Sequence, residues 1–192
     1  MGSTNQAEEL AKIAEAVQTC RRCPLSKTAL RGVPGEGNPN TDVMFIGEGP
    51  GKEEDKQGRP FCGPAGKFLD EMLRSIGLSR DEVYIGNIVK HRPPGNRDPE
   101  PGEIEACWPY LQSQIEIINP RVIVILGRHS LARLMPGLGT ISQLHGRAFR
   151  RDGRYFMALY HPAVALYAGS MRQVLMEDFG KLKLLLKKIG SG

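Results

Sequence analysis

Three polar residues, Glu48, Asn87 and His161, lie at or just beyond the predicted carboxyl ends of apolar stretches. In a parallel sheet those ends meet at one edge, where α/β proteins bind their ligands. A buried amide costs free energy unless it is bonded, so Asn87 either bonds neighbouring backbone or presents a donor–acceptor pair to a cyclic imide or amide. His161 precedes Pro162, which suits the first turn of a helix, and the positive end of that helix favours a neutral imidazole that donates a hydrogen bond. The alternative for His161 is a structural histidine.

Two loops rich in glycine and proline follow the first apolar stretch. The first, Gly47 to Gly51, is either an ordinary turn or a cradle in which successive backbone N–H groups bind an anion. It lacks the lysine of a Walker loop and the spacing of a dinucleotide fingerprint. The second loop, residues 58–66, holds Phe61 between Pro60 and Gly63. An aromatic ring fixed so close to a cradle suits stacking on a planar ring.

The elements that must position these residues alternate along the chain. Apolar runs predict strands, and amphipathic stretches with a period of 3.6 residues predict helices. The predicted strands are 43–46, 83–90, 122–126 and 155–160, and the predicted helices are 8–19, 67–77, 103–118, 127–135 and 171–189. The alternation predicts an α/β fold with three layers (αβα) and a central four-stranded parallel sheet. We expect one domain, residues 1–192.

The composition limits the class of protein. The chain has 192 residues, with 26 Lys and Arg against 21 Asp and Glu, and this basic balance weakly favours a polyanionic partner. No apolar run approaches the roughly 18 residues of a membrane span, and no signal peptide is recognisable. We therefore expect a cytoplasmic monomer with no membrane partner. Its four cysteines are then expected to serve metal or redox chemistry rather than disulfides.

Several motifs, in order from about Cys20 to Tyr167, together resemble a known family. They are GEGPG, GRPFCGPAG, GNIVKHRPPGNRDP, the helix that contains Ala106 and Cys107, LGR at 126–128, and HPAVALY. In this combination they resemble the family-4 uracil-DNA glycosylases. Those enzymes remove uracil from DNA and carry a [4Fe–4S] cluster. Their fold, a parallel four-stranded sheet between helices, agrees with the elements predicted above.

The resemblance implies a role for each residue of a uracil pocket. Gly47, Glu48 and Gly49 belong to the cradle, Phe61 is the stacking ring, Asn87 reads the base edge, and His161 faces the uracil oxygen that gains charge. Distant uracil glycosylases carry an Asp in the first motif to orient water, and its nearest slot here is Gly49. Glu48 therefore either positions that water or braces the loop.

The resemblance also implies contacts with DNA. The stretch from His161 to Tyr167 is similar to a loop that enters the minor groove, with Leu166 or Tyr167 filling the space of the flipped nucleotide. The alternative for Leu166 is a place in the core. Six arginines are either phosphate contacts or a solvated surface: Arg128, Arg147, Arg150, Arg151, Arg154 and Arg172. His129 and His145 are interpreted as structural or surface residues.

The chain departs from the family at one cluster ligand. The family has four cysteine ligands, whereas this chain has Cys20, Cys23 and Cys107, with His91 at the third position, sixteen residues before Cys107. We expect His91 to ligate the cluster, because imidazole is an attested ligand of iron–sulfur iron. The alternative is a three-cysteine cluster, with His91 in solvent or on a DNA phosphate. The remaining cysteine, Cys62, is expected to be a small apolar wall of the pocket.

The resemblance predicts a monofunctional uracil-DNA glycosylase that acts on single- and double-stranded DNA. A first alternative is a uracil-DNA-binding protein that traps DNA covalently through a histidine after the second strand, but residues 92–105 contain no histidine. A second alternative is a zinc-stabilised nucleic-acid module in which Cys20, Cys23, His91 and Cys107 have no role beyond structure.

Overall fold

Four parallel strands form the middle of a six-stranded sheet. The computed structural model describes residues 3–190, with the side chains of residues 5–190. The strands are β1 (Glu36–Gly37), β2 (Val43–Gly47), β3 (Tyr84–Asn87), β4 (Val122–Leu126), β5 (Arg147–Arg151) and β6 (Arg154–Leu159), in the order β1-β3-β2-β4-β6-β5. Strands β3, β2, β4 and β6 are parallel and correspond to the four predicted strands. The α/β prediction is confirmed.

Helices cover both faces of this sheet. They are α1 (Ser3–Gln18), α2 (Leu25–Thr28), α3 (Lys52–Gln57), α4 (Pro64–Ser75), α5 (Pro101–Ile118), α6 (Arg128–Leu134), α7 (Ile141–Leu144), α8 (Val164–Tyr167) and α9 (Gly169–Gly190). Buried side chains of α4 and α9 pack on one face, where the rings of Phe45 and Phe179 stack. Side chains of α1, α5 and α6 pack on the other face. The three predicted layers are therefore present.

The parallel register brings the carboxyl ends of the central strands together. Every residue of β2 is buried, as expected for a strand that is covered on both faces. Gly47, the last residue of β2, is paired with Asn87, the last residue of β3. Strand β3 ends there rather than at Lys90 as predicted, although the backbone N–H groups of Ile88 and Val89 still donate to the carbonyls of Gly47 and Glu48.

The two antiparallel edge strands were not predicted. β1 has only two residues, too few for any period to be visible. In β5 the sequence Arg-Ala-Phe-Arg-Arg is exposed except at the half-buried Phe149, so it lacks the apolar alternation that identifies a strand. An exposed, charged edge strand of this kind resists pairing with other chains.

Helix α3 was also not predicted, because its sequence Lys-Glu-Glu-Asp-Lys-Gln has no apolar stripe. Its acidic first turn complements the positive end of the helix and favours a start directly after the glycine loop. Helix α4 starts at Pro64, three residues before the predicted start, since proline suits the first helical position. Among residues 3–190, no helix combines the length and apolarity needed to cross a bilayer.

Candidate functional site

A cavity of about 430 Å³ opens at the carboxyl edge of the sheet. It is lined by both glycine-proline loops, the end of β3, the loop after β3, and α8. Glu48, Phe61, Asn87 and His161 all contribute to its wall. The structure therefore brings together residues that are separated by more than one hundred positions in the sequence.

Gly47 lies between the side chains of Asn87 and Phe61. A Cβ atom at this position would be 2.5 Å from Oδ1 of Asn87 and 2.7 Å from Cζ of Phe61, both of which are impossibly close. Only glycine allows the amide and the ring to approach each other across the end of β2. The first residue of the predicted cradle thus creates the space in which a planar group could meet both side chains.

The side-chain oxygen of Asn87 is buried and has no hydrogen-bond partner among the described residues. The sequence analysis left open that Asn87 bonds neighbouring backbone, but no backbone group in the described part of the chain donates to this oxygen. A buried acceptor without a donor costs about 1–3 kcal/mol, so such a group is expected to meet a ligand or an ordered water. The main-chain oxygen of Asn87 accepts a hydrogen bond from Nζ of Lys90 at 3.0 Å, and this bond stabilises the end of β3.

His161 is a neutral hydrogen-bond donor. The backbone N–H of Ala163 donates to its Nδ1 at 3.2 Å, so the proton of the neutral ring is on Nε2. Burial lowers the pKa of His161 to about 4. The neutrality agrees with the sequence prediction, but the predicted cause does not, because the nearest helix, α8, has only four residues and begins three positions later, at Val164. Removal from water is sufficient by itself.

Phe61 is held in an uncommon backbone conformation, with φ at 49°. Its ring stacks on that of His161, with 5.4 Å between centroids and 26° between planes. Glu54, a buried residue of α3 that the sequence analysis did not single out, accepts a hydrogen bond from the backbone N–H of Gly63 at 2.8 Å. This carboxylate ties the second loop to the helix that follows the first loop.

Glu48 braces the wall of the cavity. Its Oε1 accepts a hydrogen bond from the backbone N–H of His129 at 2.9 Å, and the carboxylate occupies the space that a side chain at Gly127 would need. Gly127 has a positive φ of 100°, so glycine is required there on both grounds. Two roles were expected for Glu48, positioning of water and bracing of the loop. Its contact with the backbone of His129 corresponds to the second role.

His129 and Asp98 close the rim beside Glu48. Nε2 of His129 lies 3.1 Å from Oδ1 of Asp98, whose other oxygen is paired with Arg128. Ligand atoms of Glu48, Asp98 and His129 all lie within 4.8 Å of one another. His129 was predicted to be a structural or surface residue, and its contacts fasten the loop after β3 to α6.

Both predicted wedge residues project beside the cavity. In α8, Leu166 is 49% exposed and Tyr167 is 90% exposed, and both belong to the cavity lining. The alternative that Leu166 belongs to the core is therefore wrong. Neighbouring exposed apolar side chains beside a cavity mark a candidate interaction surface.

The four predicted ligands of the cluster are all buried. Cys20, Cys23 and Cys107 are buried free thiols, and His91 is 3% exposed. Nδ1 of His91 is buried without a hydrogen-bond partner among residues 5–190, which fits a nitrogen that awaits a metal. Burial raises the pKa of Cys107 to about 11, although the backbone N–H of Lys90 approaches its Sγ at 3.4 Å, so a thiolate there needs a nearby cation.

The ligand atoms of these four residues do not form a compact group in the structure. Among the described residues, no three of their ligand atoms all lie within 4.8 Å of one another. Four ligands of a tetrahedral zinc ion, at about 2.0–2.3 Å from the metal, would lie closer together than that. Iron content is therefore the measurement that separates a cluster from the zinc module.

Cys62 does not have its predicted place. It is partly exposed and lies outside the cavity lining, so the prediction of a pocket wall is wrong. Burial and the neighbouring charge of Glu54 raise the pKa of the Cys62 thiol.

The six arginines lie at different places around the sheet. Arg128 begins α6 at the rim of the cavity, and Arg172 lies over the ring of Phe68 and pairs with Glu71. By contrast, β5 runs antiparallel to β6. After Arg147 the strand therefore leads away from the carboxyl edge of the sheet, where the cavity lies. The register pairs Arg150 with Tyr155 and Arg151 with Arg154, all at the opposite end of the sheet. None of Arg150, Arg151 and Arg154 lines the cavity.

The fold and the site define an α/β protein with an open cavity at the carboxyl edge of a parallel sheet. A family profile described as the uracil DNA glycosylase superfamily matches residues 34–181. The chain is also similar to three proteins named type-4 uracil-DNA glycosylase. That of Sulfurisphaera tokodaii is 46% identical, over 93% of this chain and 85% of the relative. Those of Archaeoglobus fulgidus and Thermotoga maritima are each 45% identical, over 94% and 95% of this chain and 95% and 98% of the relatives. The chain belongs to the uracil-DNA glycosylase superfamily and, within it, to the type-4 group.

Proposed function

We propose that this protein is a uracil-DNA glycosylase, which hydrolyses the N-glycosidic bond of a flipped-out deoxyuridine. The products are free uracil and an abasic site in DNA. The observation that carries the proposal is the buried, unpartnered Oδ1 of Asn87, placed across Gly47 from the ring of Phe61. An aromatic face beside an unsatisfied acceptor matches a planar imide, which has a ring to stack and an N–H to donate.

Asn87 supplies the selection between uracil and cytosine. The imide N–H of uracil donates a hydrogen bond to Oδ1, whereas the corresponding ring nitrogen of cytosine carries no proton. Cytosine would therefore leave the buried oxygen unpaired, and sites built around such a bond reject analogues that lack it by large factors. Because Gly47 is paired with Asn87 in the sheet, the amide is held by regular backbone rather than by a mobile loop.

His161 stabilises the departing base. When the bond between sugar and base breaks, the electron pair remains on uracil and charge develops on a carbonyl oxygen. The Nε2–H of the neutral imidazole donates to that oxygen, and a donor of this kind is worth about 2.7–4 kcal/mol in comparable sites. Water then adds to the sugar carbon. We assign Glu48 a positioning role, since its carboxylate holds the cavity wall against α6.

The nucleotide reaches this cavity by leaving the base stack. Leu166 and Tyr167 then enter the space of the flipped nucleotide, where an apolar side chain replaces lost stacking. Their exposure beside the cavity supports this assignment. Arg128 lies at the same edge and is our first choice for a phosphate contact.

We propose that Cys20, Cys23, His91 and Cys107 hold a [4Fe–4S] cluster. Three buried thiols and one unpartnered buried imidazole support this ligand set. When bound, the cluster would supply a covalent tie rather than a step of the hydrolysis. It would join the end of α1, the turn after β3, and α5, and would thereby fix the loop that continues from His91 to the cavity rim.

The direct test uses an oligonucleotide with a single uracil, in single- and double-stranded form. The protein should release the base, so that alkali cleaves the strand at the abasic site, while the strand stays intact without alkali. An intact strand after alkali would contradict the proposal. A protein–DNA adduct on a denaturing gel would instead support the trapping alternative.

A further inference from the structure

The guanidinium of Arg80 contacts the backbone on both sides of Phe61. Arg80 begins a 3-10 helix (Arg80–Glu82) just before β3, outside every motif that carried the family resemblance. Its NH2 donates to the carbonyl oxygen of Pro60 at 2.6 Å, and its NH1 donates to that of Phe61 at 3.0 Å. These two carbonyls belong to the peptide groups that flank the Cα of Phe61. One side chain therefore sets the orientation of both peptides.

The backbone of Phe61 needs such support. A φ of 49° is unfavourable for a bulky residue and persists only where the surroundings determine it. On the other side, helix α4 approaches so closely that a Cβ at Gly66 would overlap the carbonyl of Phe61. The carbonyl is thus enclosed between the backbone of α4 and the guanidinium.

Two carboxylates hold the guanidinium itself. Oε1 of Glu36 in β1 lies 2.7 Å from its NH2, and Oδ1 of Asp70 in α4 lies 2.9 Å from its NH1. The side chain of Arg80 is 19% exposed. A planar group with several donors in fixed directions can serve two carboxylates and two carbonyls at once, which a lysine ammonium cannot do in this geometry.

We propose that Arg80 is a positioning residue for uracil recognition. By fixing the peptides on both sides of Phe61, it holds the phenyl ring at Gly47 and beside His161, where the base stacks. The proposal rests on the proposed function, because it requires Phe61 to be the stacking ring. It assigns catalytic importance to a residue that does not line the cavity.

Arg59 provides a matched control. It also pairs with Glu36, through Nε at 2.8 Å, but its side chain is 60% exposed and no hydrogen bond joins it to the carbonyls around Phe61. Arg80→Lys keeps a positive charge near both carboxylates but loses the planar set of N–H donors that reaches both carbonyls. Single-turnover uracil release should fall about tenfold or more in Arg80→Lys and stay within about twofold of wild type in Arg59→Gln.

A double-mutant cycle separates positioning from general stability. If Arg80 acts through the ring, the loss caused by Arg80→Lys should shrink to about twofold or less in a Phe61→Ala background. Equal losses in both backgrounds would overturn the proposal, as would a wild-type rate in Arg80→Lys. Should Arg80→Lys fail to fold, Asp70→Asn keeps the arginine and removes one of its two anchors. Asp70→Asn should then lower the rate less than Arg80→Lys, and it should have no effect in the Phe61→Ala background. An unchanged rate in Asp70→Asn alone would count against the proposal.

Binding of free uracil, measured by calorimetry, adds a readout without turnover. Arg80→Lys should bind uracil more weakly than wild type, and Arg59→Gln should bind it equally well. A wild-type protein that neither binds nor releases uracil would refute the proposed function. A wild-type protein that does both, together with an Arg80→Lys variant that is indistinguishable from it, would refute the role of Arg80 alone.

Discussion

The imidazole of His161 lies over the phenyl ring of Phe61, with 5.4 Å between the ring centroids. A third ring inserted between them would need about 7 Å, twice the usual carbon–carbon contact distance. The base must therefore stack on the part of Phe61 that His161 leaves free and meet the imidazole with its edge. An edge contact is what donation from Nε2–H to a carbonyl oxygen requires.

The close approach of Asn87 and Phe61 to Gly47 leads to a first prediction. Gly47→Ala should lower the single-turnover rate by roughly a hundredfold, because the new methyl group would displace Asn87 or Phe61. Gly102→Ala is the control, since a Cβ in that part of α5 meets no atom within 4 Å. Both variants should fold, as judged by circular dichroism. Equal rates for Gly47→Ala and wild type would show that the two side chains need not meet there.

Loss of either polar group of the pocket should affect chemistry more than binding. Asn87→Ala and His161→Ala should each lower the single-turnover rate by roughly a hundredfold or more, since each removes one preorganised hydrogen bond. Affinity for DNA, measured with a non-cleavable analogue, should change little because phosphate contacts dominate it. A variant that retains the wild-type rate would not have the assigned role.

The low pKa of His161, about 4, predicts the dependence of the rate on pH. The single-turnover rate should stay flat between about pH 5 and 8, a range in which an ordinary histidine titrates. It should fall only as the pH approaches 4, when the imidazole loses the bond from Ala163. An inflection near the ordinary value of 6.5 would contradict the assignment of a neutral donor.

The lowered pKa of His161 also makes the free energy of unfolding depend on pH. The pKa of His161 is about 4 in the folded protein and 6.5 as the ordinary value, so the unfolded chain binds more protons between these values. The contribution of His161 to the free energy of unfolding should be complete above pH 6.5 and decrease as the pH falls towards 4. Comparison of wild type with His161→Gln in urea at several pH values would measure it.

The role of His91 can be tested by colour and iron content. The purified protein should be brown, with about four irons per chain. His91→Ala should lose both, because the other three ligands leave one corner of the cluster open. His91→Cys should keep the cluster at a lower reduction potential, since a thiolate adds negative charge. Cys62→Ala is the control and should stay brown. Retention of colour and iron by His91→Ala through the same purification would support the three-cysteine alternative.

The wedge predicts a difference between DNA forms. Leu166→Ala and Tyr167→Ala should slow uracil release from double-stranded DNA about tenfold and from single-stranded DNA much less, since only the duplex loses stacking on flipping. Leu184→Ala is a suitable control, because Leu184 is 67% exposed on α9 and does not line the cavity. Equal effects on both forms of DNA would argue against a wedge.

The sequence by itself determined the central sheet and the identity of the pocket residues. Unbroken apolar runs such as Val122–Leu126 are typical of strands covered on both faces, and their order along the chain implies right-handed crossovers and one common edge. Once the strands are placed, Glu48, Asn87 and His161 fall at that edge without further information. Motifs of glycine, proline and one aromatic were enough to indicate a binding site for a planar ring.

Only the tertiary structure decided which residues support that site. The contacts of Arg80 with Phe61 and of Glu48 with His129 join distant parts of the chain, and sequence periodicity describes only the nearest few turns. Burial is likewise a collective property: it set the pKa of His161, which a helix end had been expected to set, and it left the oxygen of Asn87 without a partner. The short edge strand β1 shows the same limit. Its two residues have no pattern of their own, yet they place Glu36 against Arg80.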